Sequence, residues 1–193
     1  MQGITQDDLL SLEEYEKQRK AIQARIKAHK EKRRLDLDDN ISMFFEDRDT
    51  MWYQVQEMAR AERLFKPEEL QDELDVYNPL IPDGSNLKGT LMIQYDDREV
   101  RLKKLAELVG IEHQFWIQVN GYDKVYPYAD EDLDRSTEDK TSTVHFMRFE
   151  FDPEMVQAWK DGAMVRMGCD HANRPLDEEL PAELYETLVA DFV

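Results

Sequence analysis

The chain has 193 residues, of which 41% are hydrophobic and 10% aromatic, with a formal net charge of −18 at pH 7 and one cysteine, Cys169. These values predict one folded domain, and they exclude a disordered chain and a scaffold held by internal disulfides. The negative charge predicts that nucleic acid is not a partner, and the lack of a leader and of a long apolar run predicts a cytoplasmic protein without a membrane partner.

The first predicted element is a basic helix at about residues 12–33. Ser11 and Glu14 have the spacing of a capping box, in which each side chain satisfies a backbone N–H of the other residue. Leu12, Tyr15 and Ile22 recur at helical spacing after this cap. This part of the chain is strongly basic, whereas the rest of the sequence is acidic. The helix could therefore bind an anionic partner, and the favoured expectation is that it pairs with the protein's own acidic face or remains solvated.

Further along the chain, the pattern alternates between strands and helices. The predicted elements are a hairpin at 34–46, helices at 50–65 and 68–74, a strand at 90–95, a helix at 96–110, strands at 115–119, 124–128, 143–151 and 164–169, a helix after 152, and an acidic C-terminal tail at 176–193. Asn120 and Gly121 indicate a tight hairpin turn, which joins antiparallel strands. The sequence therefore predicts an α+β fold, with a mixed or mainly antiparallel sheet and helices packed on one face, in a single domain over residues 1–193.

The common catalytic and phosphate-binding motifs are absent from the sequence. It contains no G-x-G-x-x-G or Walker A loop, no C-x-x-C pair, no G-x-S-x-G elbow and no H-E-x-x-H helix. Any active site must therefore be assembled from residues that are far apart in the chain.

Glu62 and His145 are the predicted catalytic residues. On a helical wheel, Glu62 falls in the apolar sector of its helix with Val55 and Met58. A carboxylate that faces a core is unfavourable unless it is paired, metal-bound or protonated. His145 shares one face of its strand with Met147 and is also expected to face the core. The alternatives are a buried ion pair for Glu62 and a structural role for His145.

Asp170 and His171 lie at the exit of the last predicted strand, where loop residues often carry chemistry. If they converge with Glu62 and His145, the four side chains would form a His/carboxylate site. Such a ligand set suits a divalent metal, namely iron, zinc or manganese. Neighbouring side chains on an extended chain diverge, so joint action of Asp170 and His171 is not assumed.

A polar turn is the second candidate site. Asp83, Ser85 and Asn86 surround Gly84 in a predicted loop at about residues 77–88, where turn-forming residues end regular structure. Their side chains offer carboxylate, hydroxyl and amide groups to solvent. We predict that these three residues contact a ligand.

Several segments together resemble a bacterial family of unknown function whose members have about this length. The segments are residues 8–15, 45–50, 54–58, 73–86, 140–146 and 168–171. The resemblance covers nearly the whole chain and is most specific at residues 77–86. It implies no activity. It implies a context, because members of this family are often encoded beside rubrerythrin-like di-iron proteins and iron–sulfur oxidoreductases.

Two functions stay open on this basis. The first is an accessory or interaction protein of a bacterial redox or peroxide-response system, with rubrerythrin-like and iron–sulfur proteins as partners. The second is a metal-dependent enzyme or a small-molecule-binding protein that uses a His/carboxylate site.

Overall fold

The computed structural model describes residues 2–192. The helices are α1 Leu12–Glu31, α2 Arg48–Glu62, α3 Pro67–Tyr77, α4 Arg98–Glu107, α5 Pro153–Lys160 and α6 Ala182–Val189. The strands are β1 Arg34–Asp36, β2 Ile41–Phe45, β3 Asn86–Ile93, β4 Phe115–Val119, β5 Tyr128–Ala129, β6 Val144–Glu150, β7 Val165–Cys169 and β8 Leu176–Glu179. Short 3-10 helices occur at Gln6–Asp8, Asn78–Leu80 and Ile111–His113.

Capping residues set the ends of the first two helices. Ser11 and Glu14 form the predicted capping box at the start of α1. Helix α2 begins after Asp47, whose carboxylate accepts the Thr50 N–H at 2.9 Å while the Thr50 hydroxyl accepts the Asp47 N–H at 2.9 Å. Asp47 is therefore the cap, and the helix begins two residues before the predicted start at residue 50, because Thr50 is the third helical residue of the same box.

The strands form two antiparallel sheets. One sheet has five strands in the order β1-β2-β3-β6-β5, and the other has three in the order β4-β7-β8. Every pairing between these strands is antiparallel. The predicted α+β class and antiparallel pairing are confirmed, and the structure divides the strands between two sheets where the sequence predicted one.

The main hydrophobic core contains side chains from both sheets. Leu91 and Phe149 contribute from the five-stranded sheet, and Ile117 and Met167 contribute from the three-stranded sheet. Trp159 of α5 is also fully buried in this cluster, together with residues of α4 and α6. Alternate residues of β3 and β6 point away from this core and are only partly buried, so the five-stranded sheet has a second, more open face.

The predicted strand at 124–128 is largely wrong. Its only ladder contact with β4 is one antiparallel bridge between Ile117 and Val125, and the long partner of β4 is β7. Tyr128 instead pairs with Arg148 in the other sheet. Pro127 lies between the two pairings. Because proline has no N–H to donate to a ladder, the chain leaves the three-stranded sheet at this point and continues to the five-stranded sheet.

The predicted acidic tail at 176–193 is folded over residues 176–192. It forms β8 on the edge of the three-stranded sheet and then α6, whose residues Leu184 and Leu188 are buried with Leu180 and Phe192. Their spacing of four places these side chains on one face, and that face packs into the main core. Val193 lies outside the described residues.

The end of the basic helix is anchored rather than solvated. Arg33, which follows α1, is 3% exposed and donates through Nε to the Phe45 carbonyl at 2.9 Å. Its guanidinium also pairs with Asp47 at 3.3 Å and with Asp191. Arg33 therefore connects the first helix to the last residues of the described chain.

No helix within residues 2–192 combines the length and apolar character needed to cross a bilayer.

Candidate functional site

Glu62 does not face the core. It is the last residue of α2, and it is exposed. The buried apolar residues of this helix are Met51, Val55 and Ala59. Because they recur every four residues and a helical turn has 3.6, the buried stripe rotates around the helix and by Ala59 has moved away from the side that contains Glu62. The helix also ends here, since Arg63 adopts a left-handed conformation with φ of 56°. The predicted burial of Glu62 is therefore wrong.

Asp170 is fully occupied by neighbouring side chains. Its carboxylate accepts hydrogen bonds from Trp116 Nε1 at 2.9 Å, Lys124 Nζ at 2.8 Å and the Tyr126 hydroxyl at 2.7 Å. The bonds from Lys124 and Tyr126 hold the pKa of this carboxyl below its usual value. Asp170 thus ties the segment that follows β4 to the end of β7.

His171 points to a different part of the molecule. Its Nε2 lies 3.2 Å from the Val109 carbonyl, and its Nδ1 accepts the Asn173 N–H at 3.3 Å. Both ring nitrogens are used, so neither is free to bind a metal. Within residues 2–192, no group of three or more His, Cys, Asp or Glu side chains is placed to hold a metal ion. The structure does not bring His171, Asp170, His145 and Glu62 together as the predicted metal site.

His145 lies on the core face of the five-stranded sheet, as predicted, and is 0% exposed. Its Nδ1 is 2.6 Å from Asp130 Oδ2, and its Nε2 is 2.8 Å from the Thr141 hydroxyl. That hydroxyl in turn lies 3.1 Å from Glu112 Oε2. The four side chains form a continuous hydrogen-bonded chain, the His145 network.

The carboxylates at both ends of this network have further partners. Asp130 adopts a left-handed conformation with φ of 53°, accepts the Phe146 N–H at 2.9 Å and pairs with Arg135 at 3.2 Å. Burial opposes ionisation of Glu112, but hydrogen bonds, that from Ser136 foremost, outweigh it and hold the pKa of this carboxyl below its usual value. The His145 network is therefore closed, with its polar groups satisfied inside the protein.

A groove lies on the open face of the five-stranded sheet. It encloses a cavity of about 500 Å³ between the sheet and the segment that contains the end of α3 and the 3-10 helix Asn78–Leu80. The helical side contributes Val76, Tyr77 and Leu80, and the sheet side contributes Phe146 among others. A cavity of this size with a mainly apolar wall is typical of a small-molecule site.

Two arginines line the groove, and both are held in place. Arg148 forms ion pairs with Glu131 at 2.7 Å and with Glu150, and its guanidinium lies 4.3 Å from the ring centroid of Tyr128. Arg135 pairs with Asp132 at 2.6 Å and stacks 4.5 Å from the ring centroid of Phe146. These contacts raise the pKa of both guanidiniums and fix their positions.

Lys88 and Glu46 lie in the same groove but are not paired as these arginines are. They occupy neighbouring positions on β3 and at the end of β2, where the Glu46 N–H donates to the Lys88 carbonyl at 2.8 Å. The Lys88 ammonium donates to the Pro79 carbonyl, and one Glu46 oxygen accepts the Thr90 hydroxyl at 2.7 Å. In the part of the chain that the structure describes, neither side chain forms an ion pair within 4.0 Å.

The environment of Lys88 disfavours its charged form. Burial is the largest cause and lowers the pKa of its amine, and the charge of Arg148 acts in the same direction. Asp83, Glu150 and Glu131 oppose the shift without reversing it. Lys88 is thus a half-buried amine with no carboxylate within 4.0 Å among the described residues, although three carboxylates act on its charge from further away.

The predicted polar turn lies beside this groove. Asp83 accepts the Ser85 N–H at 3.0 Å and the Ser85 hydroxyl at 2.9 Å, while Asn86 accepts the Asp83 N–H at 3.1 Å. Gly84 supports the turn with φ of 106°, a conformation that favours glycine. These side chains are used to build the turn that leads into β3. Their contact with a ligand stays a prediction.

Sequence reasoning missed both Lys88 and Glu46. A signal was nevertheless present, because residues 77–86, the most specific part of the family resemblance, form the helical wall of the groove and the turn before Lys88. Neither charged residue could be singled out from its local pattern, since Lys88 occupies an ordinary outward position of an alternating strand.

Comparison with known proteins agrees with this architecture. The family model of DUF3501, described as a protein of unknown function, matches residues 3–192. The chain belongs to the DUF3501 family. This DUF3501 protein is 42% identical to a novel protein of unknown function from Burkholderia pseudomallei K96243, whose crystal structure superposes with a TM-score of 0.94 over 100% of both chains. No curated protein matches the chain.

Proposed function

We propose that this DUF3501 protein binds a small organic anion in the groove beside Lys88. The observation that carries the proposal is the Lys88 amine, which is half buried in a cavity and has only the Pro79 carbonyl as its hydrogen-bond partner. A buried charge without a counter-ion is unfavourable, so an anionic ligand would gain a charge-assisted hydrogen bond and relieve that cost.

The rest of the groove defines the class of ligand. The aromatic side chains of Tyr77, Tyr128 and Phe146 border the cavity and suit a flat apolar body. Arg135 and Arg148 are already paired with carboxylates that line the same groove, so they offer neither a free guanidinium nor a net positive charge, and Lys88 is left as the anion-binding group. A small carboxylate with an aromatic or branched apolar body meets these conditions.

Calorimetric titration with 3-phenyllactate, as part of a panel of small carboxylates, tests the proposal. Loss of one charged hydrogen bond is worth about 1.5–3 kcal/mol, so Lys88→Met is expected to weaken binding by roughly 10- to 100-fold. Lys88→Arg keeps the charge and is expected to retain most of the affinity. Lys103→Met is the matched control, because Lys103 is 77% exposed and distant from the groove lining.

Two results would contradict the proposal. One is the absence of binding for every carboxylate in the panel. The other is equal affinity in the wild type and in Lys88→Met, which would place the ligand elsewhere.

The role in a bacterial redox or peroxide-response system stays a separate proposal. Its support is the family resemblance and the gene context that this resemblance implies. A small-molecule site is compatible with such a role, since an accessory protein can carry or sense a metabolite. Affinity purification from native extract, repeated without recovery of a rubrerythrin-like or iron–sulfur protein, would count against it.

A further inference from the structure

We propose that Lys88 is a nucleophile that forms an imine with a 2-oxo acid bound in the groove, and that Glu46 moves the protons of this reaction. The inference rests on the proposed anion binding at the same site. It adds a covalent step, a reacting group on the ligand and a role for Glu46.

The surroundings of the Lys88 amine suit nucleophilic attack. A lysine attacks only as the neutral amine, and active lysines reach that form through desolvation or a neighbouring cation. Lys88 has both, because burial and the charge of Arg148 lower the pKa of its amine. Its hydrogen-bond acceptor is the Pro79 backbone carbonyl, which occupies one N–H of the amine, and Lys88 lines the cavity.

Glu46 is placed to exchange protons with that amine. The two residues are opposite each other on paired strands, and side chains in this relation have Cβ atoms about 4.5–5.5 Å apart. Glu46 is 7% exposed and lines the same cavity. The Thr90 hydroxyl donates to one of its oxygens, and the other oxygen accepts no hydrogen bond from the described residues. From this position we expect Glu46 to reach the reacting atoms directly or through one water.

A 2-oxo acid is the carbonyl compound that fits this site. Its ketone carbon is bonded directly to the carboxylate, so an anion held beside Lys88 brings the ketone to the same nitrogen. An apolar body on the other side of the ketone would extend toward Tyr77 and Phe146, which border the cavity. Phenylpyruvate has these features, and 3-phenyllactate is its analogue with a hydroxyl in place of the ketone.

The reaction balances without an oxidant or a reductant. The Lys88 nitrogen attacks the ketone carbon, and the carbonyl electron pair moves to oxygen, which takes up a proton to give a carbinolamine. Glu46 accepts a proton from nitrogen and returns one to the departing hydroxyl. Water then leaves with the original carbonyl oxygen and two hydrogens of the amine, and a carbon–nitrogen double bond remains.

Reductive trapping tests the inference. The full chain is incubated with glyoxylate, pyruvate or phenylpyruvate and sodium borohydride, which converts an imine into a stable secondary amine. Intact-mass measurement and peptide mapping are expected to find one adduct per chain, at Lys88. Lys88→Arg is expected to lose this adduct while still binding 3-phenyllactate, and Lys103→Arg is expected to form it as the wild type does.

Glu46→Gln separates proton transfer from binding. Because general acid–base catalysis typically contributes about 10²- to 10⁴-fold, trapping in this variant is expected to slow by at least about tenfold. Because the substitution removes a negative charge from the cavity, its affinity for 3-phenyllactate is expected to be retained or to rise, so slower trapping cannot come from weaker binding. Trapping at the wild-type rate would overturn the role of Glu46.

The outcomes distinguish this inference from the proposed function. Binding of 3-phenyllactate with no adduct at Lys88 for any of the three 2-oxo acids would overturn the imine and leave anion binding intact. Equal labelling of Lys88 and of exposed lysines would do the same, because it would show ordinary amine reactivity. Failure of the wild type to bind any carboxylate would instead remove the proposed function on which the imine depends.

Discussion

The two faces of the five-stranded sheet differ in how completely their charged residues are paired. On the core face, His145 is hydrogen-bonded at both ring nitrogens, and its partners Asp130 and Thr141 are themselves bonded to further groups. On the open face, Lys88 and Glu46 lie next to each other in the groove without an ion pair among the described residues. The charged groups of the first face are paired within the protein, whereas on the second face Lys88 and Glu46 have hydrogen-bond partners but no ion pair.

This difference shows why burial and residue type alone are poor guides to function. A histidine beside a carboxylate and a hydroxyl has the composition of a catalytic site. A site that is buried from solvent and whose polar groups all have hydrogen-bond partners is nevertheless typical of a structural network. Unpartnered charges that border a cavity cost stability and are retained where they serve binding or chemistry. Satisfaction of hydrogen bonds therefore separates the two faces more clearly than composition does.

The largest expected effect is on the core face. Asp130→Asn keeps the shape and the tolerance for a left-handed backbone, but it removes the charge that His145 and Arg135 contact. We expect the free energy of unfolding to fall by about 3 kcal/mol, near the lower end for breaking a buried charge pair, because the amide oxygen can still accept the Phe146 N–H. Urea denaturation followed by circular dichroism measures this change.

The matched control is Asp132→Asn, in the same loop. Asp132 is 56% exposed and pairs with Arg135 at the surface, so its loss is expected to cost roughly 0–1 kcal/mol. Equal destabilisation by the two variants would contradict the structural role of the His145 network.

A partnered carboxylate outside the sheet gives an intermediate effect that depends on pH. Glu57 of α2 accepts a bidentate interaction from Arg19 at 2.8 and 2.9 Å and the Tyr15 hydroxyl at 2.6 Å. The bond from Arg19 is the main cause that lowers the pKa of Glu57 to about 2. Since the folded-state pKa is depressed, Glu57 stabilises the fold above its unfolded pKa of about 4.5, and this contribution is lost as pH falls toward 2.

Glu57→Gln is therefore expected to lower stability at pH 7 by roughly 1–2 kcal/mol, after allowance for solvent screening. Its stability should fall less than that of the wild type between pH 4.5 and 2. Thermal unfolding across this range checks the slope. Parallel pH curves for the two proteins would show that Glu57 does not contribute in this way.

The smallest effect, with the opposite sign, is expected on the open face. Lys88→Met and Glu46→Gln each remove a charge that has no ion-pair partner in the described chain, so stability should stay the same or rise by up to about 1 kcal/mol. Lys104→Met is the control, because it breaks an ion pair with Glu107 at 2.7 Å and should lower stability slightly. A loss above about 2 kcal/mol for Lys88→Met would mean that its role is structural.

Local features of the fold were predictable from sequence. The capping box of α1, the hairpin of β1 and β2, and the outward and inward alternation along β6 each depend on residues only a few positions apart. The α+β class followed from the order of such elements. The crossing between sheets near Pro127 was not predictable from the local sequence. It depends on the pairing of β4 with the distant strand β7, which extends along all of β4, whereas the segment after the hairpin turn pairs with β4 at Val125 only.

The site depended on contacts between distant segments. Asp130 and Thr141 meet His145 within one region of the chain, but Glu112 reaches the same network from the 3-10 helix Ile111–His113. Lys88 lies beside Glu46 only because β2 and β3 are paired in one register. The predicted burial of Glu62 was wrong for a related reason. A helical wheel shows which side of a helix is apolar, but it does not show how far along the helix the packing partners of that side extend.

The burial of α6 has a consequence for the synthesis of the protein. Arg33 at the end of the first helix is neutralised by Asp191, and Leu184, Leu188 and Phe192 fill the core that both sheets share. Burial is the main cause that raises the pKa of Asp191, so the folded structure disfavours the ionised form of this carboxyl, and the charge of Arg33 opposes that shift. During translation, the core that both sheets share cannot close until residues 184–192 have left the ribosome. The nascent chain therefore passes through a long interval with an open apolar core, in which protection by a chaperone would be of most value.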